Sequence, residues 1–487
     1  MTIFNKRPFK VDARSCASGK TLDTIYPTIR YNISHEIQTL VVVHSVDLCA
    51  QYGRKFPTMT VINSTIIDGA VRSTIKALSE NNPLICITYQ CFLMMDYHWN
   101  RHNYHLIIDE AFGGVYLSSV ITNKIHQLNW PAVYVSKPDN GLDEFIELEL
   151  IYDNSSQDDN TVSGSVLYQQ ITNKNYTHYC SPHDFDLMMN YNNKKVFTIY
   201  SLLNQRVYNG WKDIHIAAAA FEKTTMYHML VKYGITMYTI QNKHFEPHDA
   251  NIHYHTMCDT KHDNGWFNWS KTKQEKYPLL LETMHNHISN HASGKVLTIR
   301  NKKQDKNLGD NEFKLSHNVH GINDENYMSS YDCYMEAALV PSNNLKSFLL
   351  EHVLNYLPGN DRMDALIHMH SVYNFYQSIM RCALRDRNYN KQVVNIFTMD
   401  TRASLLLQYY FTGTITETWI PVPDNYKPTA KTKTKAEKNK EYYEKKKSID
   451  TKEKKVPLTP AERQQKSRER KKLKLEEMKN MINLLKK

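Results

Sequence analysis

The sequence predicts two tandem α/β lobes, each with a parallel sheet, followed by a basic tail that is disordered or helical. Short apolar runs alternate with segments of helical spacing, which is typical of a parallel sheet covered by helices. This alternation occurs in the first half of the chain and again in the second. After Tyr426 the composition changes to Lys, Glu, Thr and Ser, which cannot bury enough apolar surface to fold alone.

The first lobe is predicted over residues 1–235. Its strands are expected where short apolar runs stop in polar or acidic residues, as in a sheet that is buried on both faces. The first strand leads into the segment 14–21, and a helical pattern follows it. Between about 117 and 207 the pattern is irregular and predicts no regular elements. The expected strands are 9–13, 40–43, 84–87, 106–108 and 214–220.

A connector or insertion is predicted over 236–275, where His, Asn, Asp and Trp are frequent. The second lobe is predicted over 276–425, and the basic tail over 426–487. Within the second lobe, the segment 365–384 has helical spacing, and we expect Arg381 and Arg385 to share a helix face at its end. The expected strands of this lobe are 296–299, 334–340 and 393–397.

The positive charge is concentrated in the tail. Residues 427–487 contain 19 Lys and 3 Arg against 9 acidic residues, a net charge of +13, while the whole chain carries +10. The first 426 residues therefore carry −3. A segment of this kind is an electrostatic partner for a polyanion.

Length and composition exclude several classes of protein. A chain of 487 residues exceeds one ordinary core, so several domains are expected. No stretch approaches the ~20 apolar residues of a membrane span, and no secretory signal follows the N-terminus. The 8 cysteines lack paired metal-site spacing and indicate reduced thiols. We therefore expect a cytoplasmic protein with no membrane partner.

A candidate phosphate-binding loop lies at the first strand-to-helix junction. Backbone N–H groups at a helix N-terminus cradle phosphates, a lysine reaches the β and γ oxygens, and a threonine hydroxyl holds Mg²⁺. The alternative is an ordinary loop, because a Gly-Lys-Thr triplet also arises by chance. The candidate ATP-binding residues are Ser18, Gly19, Lys20 and Thr21.

Two adjacent carboxylates follow the strand at 106–108. Ligands of open α/β folds bind at the carboxyl ends of strands, which is where Asp109 and Glu110 are expected. Asp109 is a candidate Mg²⁺ ligand together with Thr21, and Glu110 is a candidate to orient or deprotonate an attacking water. The alternative is a solvated strand end.

These motifs resemble those of the superfamily-two helicases of the DEAD/DEAH-like kind, in a viral, phage or mobile-element branch. Gly19-Lys20-Thr21 is similar to motif I, and Asp109-Glu110-Ala111-Phe112 is similar to motif II. Thr88-Tyr89-Gln90 resembles a turn that contacts the nucleic-acid backbone, and the segment 377–385 resembles motif VI. The resemblance implies two RecA-like P-loop NTPase domains, ATP and Mg²⁺ as cofactors, and an ATP-hydrolysing helicase or translocase.

Motif VI of this family supplies a glutamine and arginines that face ATP from the second lobe. The resemblance assigns these roles to Gln377, Arg381 and Arg385, with Arg381 as the main arginine finger. Two departures stand out. In motif VI, Met380 replaces the usual glycine and Leu384 stands where the last arginine belongs, with Arg385 or Arg387 as its displaced equivalent; in motif I, Arg14 replaces the first glycine. The first departure leaves open which arginine is the finger, and the alternative is a surface helix with solvated arginines.

The tail has two interpretations, a solubilising end and a nucleic-acid arm. The arm is favoured because the body is nearly neutral, and each phosphate contact would steepen the salt dependence of binding by about −0.9 on duplex DNA. The expected partner is nucleic acid, DNA before RNA, with replication proteins as further candidates. The basic candidates are Arg463, Arg468, Arg470, Lys471 and Lys472.

Three further hypotheses stay open at the level of sequence. The residues His253, His255, Cys258 and His262 have spacing compatible with zinc, although the whole region is rich in histidine. A DNA-packaging motor shares the lysine loop and the acidic pair. A replication initiator or origin-binding protein with a weakened motor is the third possibility. Oligomeric state, direction of movement and true strand separation are not encoded in any recognisable pattern.

Overall fold

The first half of the chain contains twelve strands in the described part of the structure. This computed structural model describes residues 7–63, 69–95, 97–121, 133–135, 145–150, 173–189, 196–257, 278–300, 308, 310–316, 325–336, 341–386, 389–399 and 401–421. The strands are β1 (Phe9–Asp12), β2 (Thr39–Val43), β3 (Thr60–Ile62), β4 (Leu84–Thr88), β5 (His105–Asp109), β6 (Val115–Ile121), β7 (Val133–Val135), β8 (Ile146–Leu150), β9 (Tyr176–Cys180), β10 (Val196–Leu203), β11 (Asp213–Ala217) and β12 (Met237–Thr239).

Seven of these strands form one parallel sheet in the order β12-β1-β11-β5-β2-β4-β3. Every residue of β2 and β5 is buried, because helices cover both faces of the sheet. All five strands predicted in this half are present. Their carboxyl ends meet at one edge, so β1 and β5 deliver their following loops to the same place.

The helices of this half begin at residues suited to capping. Ser45 and Thr88 accept hydrogen bonds from the backbone N–H groups of Leu48 and Cys91, and so start their helices. A π-helical turn, Thr21–Ile25, precedes the first α-helix and places Pro27 in its first turn, where a missing N–H costs little. The helices are α1 (Tyr26–Ser34), α2 (Val46–Lys55), α3 (Ala70–Ser79), α4 (Tyr89–Met94), α5 (Pro182–Met189) and α6 (Thr225–Lys232).

A second, antiparallel sheet is inserted between β5 and β11. Its order is β6-β10-β9-β8-β7. The sequence analysis did not predict it, although β8 alternates apolar and acidic residues and β9 alternates buried and partly buried ones, a pattern typical of strands with one solvent-facing side. The insertion lengthens the chain between the acidic pair and β11 without breaking the parallel sheet.

The second half contains a parallel sheet in the order β15-β14-β16-β17-β13-β18. The predicted strands near 296 and 393 are present, and the one near 334 is present up to Met335, while 337–340 lie outside the described residues. Two tandem α/β lobes with parallel sheets, the predicted fold class, are therefore confirmed. The strands are β13 (Ile252–Met257), β14 (Val296–Arg300), β15 (Glu312–Ser316), β16 (Asp332–Met335), β17 (Val394–Thr398) and β18 (Ile415–Ile420).

The connector expected over 236–275 differs from the structure in its first half. Strand β12 extends the first sheet by pairing with β1, and β13 is an inner strand of the second sheet, paired with β17 and β18. The histidines of β13 suggested a polar segment. However, the His255 side chain is buried in the sheet, and this burial lowers its pKa to about 4, so the ring is neutral there.

The helical segment predicted over 365–384 is interrupted and ends early. A π-helical turn (His368–Val372) joins two α-helices, and the second of these ends at Ile379. Because Cys382 has extended backbone angles, the prediction that Arg381 and Arg385 share a helix face is wrong. The helices of this half are α7 (Pro278–His291), α8 (Asn343–His352), α9 (Gly359–Ile367), α10 (Tyr373–Ile379) and α11 (Thr401–Leu407).

The two halves also pack through helix α8. The Phe348 ring stacks on Tyr200 of the inserted sheet with ring centroids 4.8 Å apart, and it meets Phe145 edge-on at 5.2 Å. Leu349 and Val353 join the same core. Among the described helices, none is both long enough and apolar enough to cross a membrane.

Candidate active site

The loop after β1 has a backbone that selects glycine at one position. Gly19 has φ +80°, and a Cβ built there would lie 2.7 Å from Asp23 Oδ2. Ala17 is also left-handed, at φ +59°. The loop therefore reverses direction in a conformation that L side chains adopt rarely, as the Gly-Lys-Thr pattern predicts.

Arg14, which occupies the position of the usual first glycine, holds the loop together. Its guanidinium donates Nε to Asp12 Oδ1 at 3.0 Å and a terminal nitrogen to Asp12 Oδ2 at 2.9 Å. It also donates to the Ser18 carbonyl at 3.2 Å and to Thr24 Oγ1 at 2.9 Å. Burial alone would raise the pKa of Asp12, but the hydrogen bonds from Arg14 and Thr24 outweigh burial and lower it.

Two polar side chains of the loop, Lys20 and Ser18, differ in their hydrogen bonding. The Lys20 ammonium donates to the carbonyls of Ser15 at 2.8 Å and Arg14 at 3.1 Å, which keeps it against the loop. Ser18 Oγ is buried and has no hydrogen-bond partner among the described residues. An unpaired buried hydroxyl is costly unless a ligand completes its bonding.

Asp109 ends β5 as a buried carboxylate. Burial, with a smaller contribution from the charge of adjacent Glu110, raises its pKa to about 6, although the hydrogen bond from Tyr52 and the charge of Lys20 oppose the rise. Tyr52 Oη donates to Asp109 Oδ2 at 2.6 Å. Sequence reasoning missed Tyr52, which lies on α2 and is separated from Asp109 by 57 positions.

Glu110 is held from the second lobe. Tyr373 Oη donates to Glu110 Oε1 at 2.8 Å, and Gln377 Nε2 donates to the same oxygen at 3.1 Å. The Glu110 backbone has φ +84° and donates its N–H to the Ala217 carbonyl at 2.9 Å. A non-glycine residue in this conformation costs on the order of 1–3 kcal/mol, and such strain clusters at functional sites.

The two arginines, Arg381 and Arg385, follow α10 and line the same cavity as the lysine loop and the two acids. Burial lowers the pKa of Arg381, although the charges of Cys16 and Glu110 oppose it, and Arg381 Nε has no hydrogen-bond partner among the described residues. Burial and the positive charge of Arg381 lower the pKa of Arg385 to about 10. Two partly buried guanidinium groups that line one cavity are suited to an anionic ligand.

The lysine loop, the two acids, Gln377 and the two arginines line one cavity of about 610 Å³, whereas Arg14 and Tyr373 contact lining residues from outside it. The first lobe contributes the loop and both acids, and the second contributes one glutamine and two arginines. Every residue proposed from the sequence for ATP, Mg²⁺ or hydrolysis is among them: Ser18, Gly19, Lys20, Thr21, Asp109, Glu110, Gln377, Arg381 and Arg385.

Helix α10 also contacts the loop directly. The backbone N–H of Cys16 donates to Tyr376 Oη at 2.7 Å, and this hydroxyl is hydrogen-bonded to His248 Nε2 at 2.9 Å. Tyr373 and Gln377 are one helical turn apart and so share a face. That spacing is the signal in the sequence that could have identified Tyr373.

The remaining candidates either do not line the cavity or lie outside the described residues. Thr88, Tyr89 and Gln90 form the junction of β4 and α4, where Tyr89 packs on His44 with ring centroids 4.8 Å apart. The basic candidates of the tail, Arg463, Arg468, Arg470, Lys471 and Lys472, lie outside the described residues.

The zinc hypothesis gains no support from the part of the chain that is described. Cys258 and His262 lie outside it. His253 bonds to Thr418 at 2.7 Å, and His255 contacts His287 at 3.0 Å and Asn395 at 3.2 Å. Within the described ranges, no group of three or more His, Cys, Asp or Glu residues could hold a metal ion.

Comparisons with known proteins give only distant similarity. No protein-family model matches the chain, and no curated protein sequence matches it. Among solved structures, Saccharomyces cerevisiae Dbp5 bound to RNA and ADP BeF3 is 9% identical over 86% of this chain and 87% of its own, with a TM-score of 0.36. Mss116p bound to ssRNA and AMP-PNP is 10% identical over 86% and 72%, with a TM-score of 0.34. T4 UvsW is 8% identical over 85% and 74%, with a TM-score of 0.23. The function proposed below therefore rests on the residues of the crevice.

Proposed function

We propose that the protein is an ATP-hydrolysing motor of the helicase or translocase type that acts on nucleic acid. One observation carries this proposal. A lysine loop and two acids from the first lobe face a glutamine and two arginines from the second lobe across one cavity. A triphosphate in this cavity would be bound by both lobes at once.

The cavity fits a nucleotide in size and in chemistry. Its volume of about 610 Å³ is within the range of roughly 300–1,000 Å³ typical of small-ligand sites. Ser18, Gly19, Lys20 and Thr21 would hold the phosphates. Ser18 Oγ and Arg381 Nε, which lack partners among the described residues, would gain acceptors from phosphate oxygens.

Thr21 and Asp109 both line the cavity and would together hold a divalent cation. Burial has raised the pKa of Asp109, so a nearby cation would restore its charged form. Bound Mg²⁺ would neutralise charge on the phosphate oxygens. Thr21 and Asp109 would hold it through a hydroxyl and a carboxylate oxygen, the ligands that Mg²⁺ prefers.

The remaining residues account for hydrolysis. Glu110 orients a water and accepts its proton as the water attacks the γ-phosphorus, while the bond to the β–γ bridging oxygen breaks to leave ADP and phosphate. Arg381 is the main finger for the charge that develops, and Gln377 is its water- or γ-phosphate-sensing neighbour. A finger of this kind contributes on the order of 10³–10⁵ in rate, so turnover requires the lobes to be together.

Nucleic acid is the proposed substrate on which the motor acts. Because the finger and the lysine loop lie on different lobes, ATP favours the closed pair, and hydrolysis releases it. A strand gripped by both lobes would then be moved, with Thr88, Tyr89 and Gln90 as first-lobe contacts. On the sequence resemblance alone, we favour DNA over RNA, and a role in the replication or repair of a virus or mobile element. The basic tail is proposed as a further arm for nucleic acid.

ATP turnover measured in parallel with single-stranded DNA, duplex DNA and RNA tests the proposal. We expect turnover to rise with at least one of the three and to be lost in Lys20→Ala. The polymer that stimulates turnover identifies the substrate. If the purified chain hydrolyses no ATP with any of them, and Lys20→Ala binds nucleotide as the wild type does, the enzyme assignment is wrong.

A further inference from the structure

Tyr373 belongs to none of the motifs that the sequence resemblance assigns, yet its hydroxyl makes the shortest hydrogen bond to Glu110. We propose that Tyr373 is a positioning residue that orients the Glu110 carboxylate for hydrolysis, and that it does so only while the second lobe lies against the first. This inference rests on the proposed function and extends it by assigning the control of Glu110 to helix α10.

The contact is a closed triangle of hydrogen bonds. Gln377 Nε2 donates to Tyr373 Oη at 2.9 Å and to Glu110 Oε1 at 3.1 Å, while Tyr373 Oη donates to Glu110 Oε1 at 2.8 Å. Both donors therefore act on one carboxylate oxygen. The other oxygen, Oε2, accepts no hydrogen bond from the described residues and is the one available to a water.

The phenol is suited to this role. Burial raises the pKa of Tyr373 well above its ordinary value, and the charge of Glu110 adds to this, so the hydroxyl keeps its proton and remains a donor. The residue is 5% exposed, so water does not compete for the bond. Hydrogen bonds to a charged acceptor in such a setting are stronger than neutral ones.

The orientation of the Glu110 carboxylate depends on contact between the two lobes. Glu110 is fixed to the first lobe by its backbone bond to Ala217, whereas Tyr373 and Gln377 lie on α10 of the second lobe. A glutamate side chain has several rotamers, and a misplaced catalytic group costs a large factor in rate. Separation of the lobes removes both donors and frees the carboxylate. Hydrolysis would therefore be restricted to the closed pair by this contact in addition to the arginines.

The test is Tyr373→Phe, which removes one hydroxyl and keeps the ring. We expect kcat for ATP to fall about 10-fold to 100-fold, the worth of a hydrogen bond to a charged group, while the Kd for ATP stays within about twofold of wild type. The matched control is Tyr254→Phe. Tyr254 is a buried tyrosine of the same lobe whose hydroxyl has no hydrogen-bond partner among the described residues, so turnover should not change.

A second experiment distinguishes a role of Tyr373 in orienting the Glu110 carboxylate from a role in packing. In a Glu110→Gln background, Tyr373→Phe should cause no further loss, because the carboxylate on which it acts is gone. If circular dichroism shows that Tyr373→Phe does not fold, Tyr373→Met carries the same test, because it removes the hydroxyl and fills the buried space with a flexible apolar side chain.

The outcomes are distinguishable. An active wild type whose Tyr373→Phe variant keeps its kcat overturns the role of Tyr373 and leaves the proposed function standing. A loss of equal size in the Glu110→Gln background also overturns it, because the effect would then be structural. A wild type without turnover overturns both proposals.

Discussion

The ion pair between Arg14 and Asp12 allows a quantitative prediction for Arg14, which stands where the usual phosphate-loop pattern has its first glycine. The Arg14→Gly variant restores the glycine of the usual pattern but leaves Asp12, which is fully buried, without its guanidinium partner. Removing one partner of a buried ion pair costs about 3–5 kcal/mol. Asp12 would keep a 2.6 Å hydrogen bond from Thr24, so we expect the lower end, a loss of about 3 kcal/mol in the free energy of unfolding.

Urea unfolding at neutral pH, followed by circular dichroism, measures this loss. Arg14→Lys should fall between wild type and glycine, because lysine keeps the charge but not the two parallel hydrogen bonds. The control is Lys10→Ala, which breaks the partly exposed pair with Asp213 and should cost less than about 1 kcal/mol. If Arg14→Gly unfolds at the wild-type urea concentration, Arg14 is not what holds the loop.

Three further predictions concern the loop, the acid and the histidines. In Gly19→Ala the left-handed backbone costs roughly 1–2 kcal/mol, and we expect weaker ATP binding by equilibrium titration. Gly69→Ala, whose φ is similar at +81°, should leave binding unchanged. Tyr52→Phe removes a bond that holds the pKa of Asp109 down, so the acidic limb of the kcat–pH profile should move to higher pH; an unmoved limb would contradict the assignment. Burial lowers the pKa of five buried histidines to about 4, so the unfolded chain binds more protons below the ordinary value of about 6.5, and stability is lost as pH falls. Each costs ~2 kcal/mol near pH 5, so acid unfolding should occur near that pH, and one neutral replacement such as His215→Gln should lower its midpoint. The five are His105, His178, His215, His228 and His255.

Much of the candidate site could be predicted because its residues directly follow strands. An apolar run that ends in Asp-Glu, or that leads into Gly-Lys-Thr, places those side chains at the carboxyl edge of a parallel sheet whatever the rest of the fold. Lys20 and Asp109 therefore lie in one cavity, as the sequence predicts. Burial of β2, β4 and β5 follows from the same apolar runs.

Other features depend on contacts between residues that are far apart in sequence. Tyr52 reaches Asp109 across 57 positions, and no local pattern marks it. Tyr373 reaches Glu110 across 263 positions, and its only local mark is the spacing of one helical turn to Gln377. A histidine-rich segment can be either exposed or buried, because the neutral ring can pack in a core. The histidines of β13 therefore led to the wrong prediction of a connector there. The end of α10 at Ile379, where Met380 leaves the helical backbone angles, is not revealed by helical spacing.

The central claim is that hydrolysis needs groups from both lobes, and Arg381→Ala tests it most directly. Turnover and nucleotide affinity should be measured on the same preparation, with the stimulating nucleic acid at saturation. The two-lobed site predicts a loss of about 10³-fold or more in kcat, with the Kd for ATP changed far less. An Arg381→Ala variant that turns over at the wild-type rate would contradict a shared site, as would one that loses only affinity.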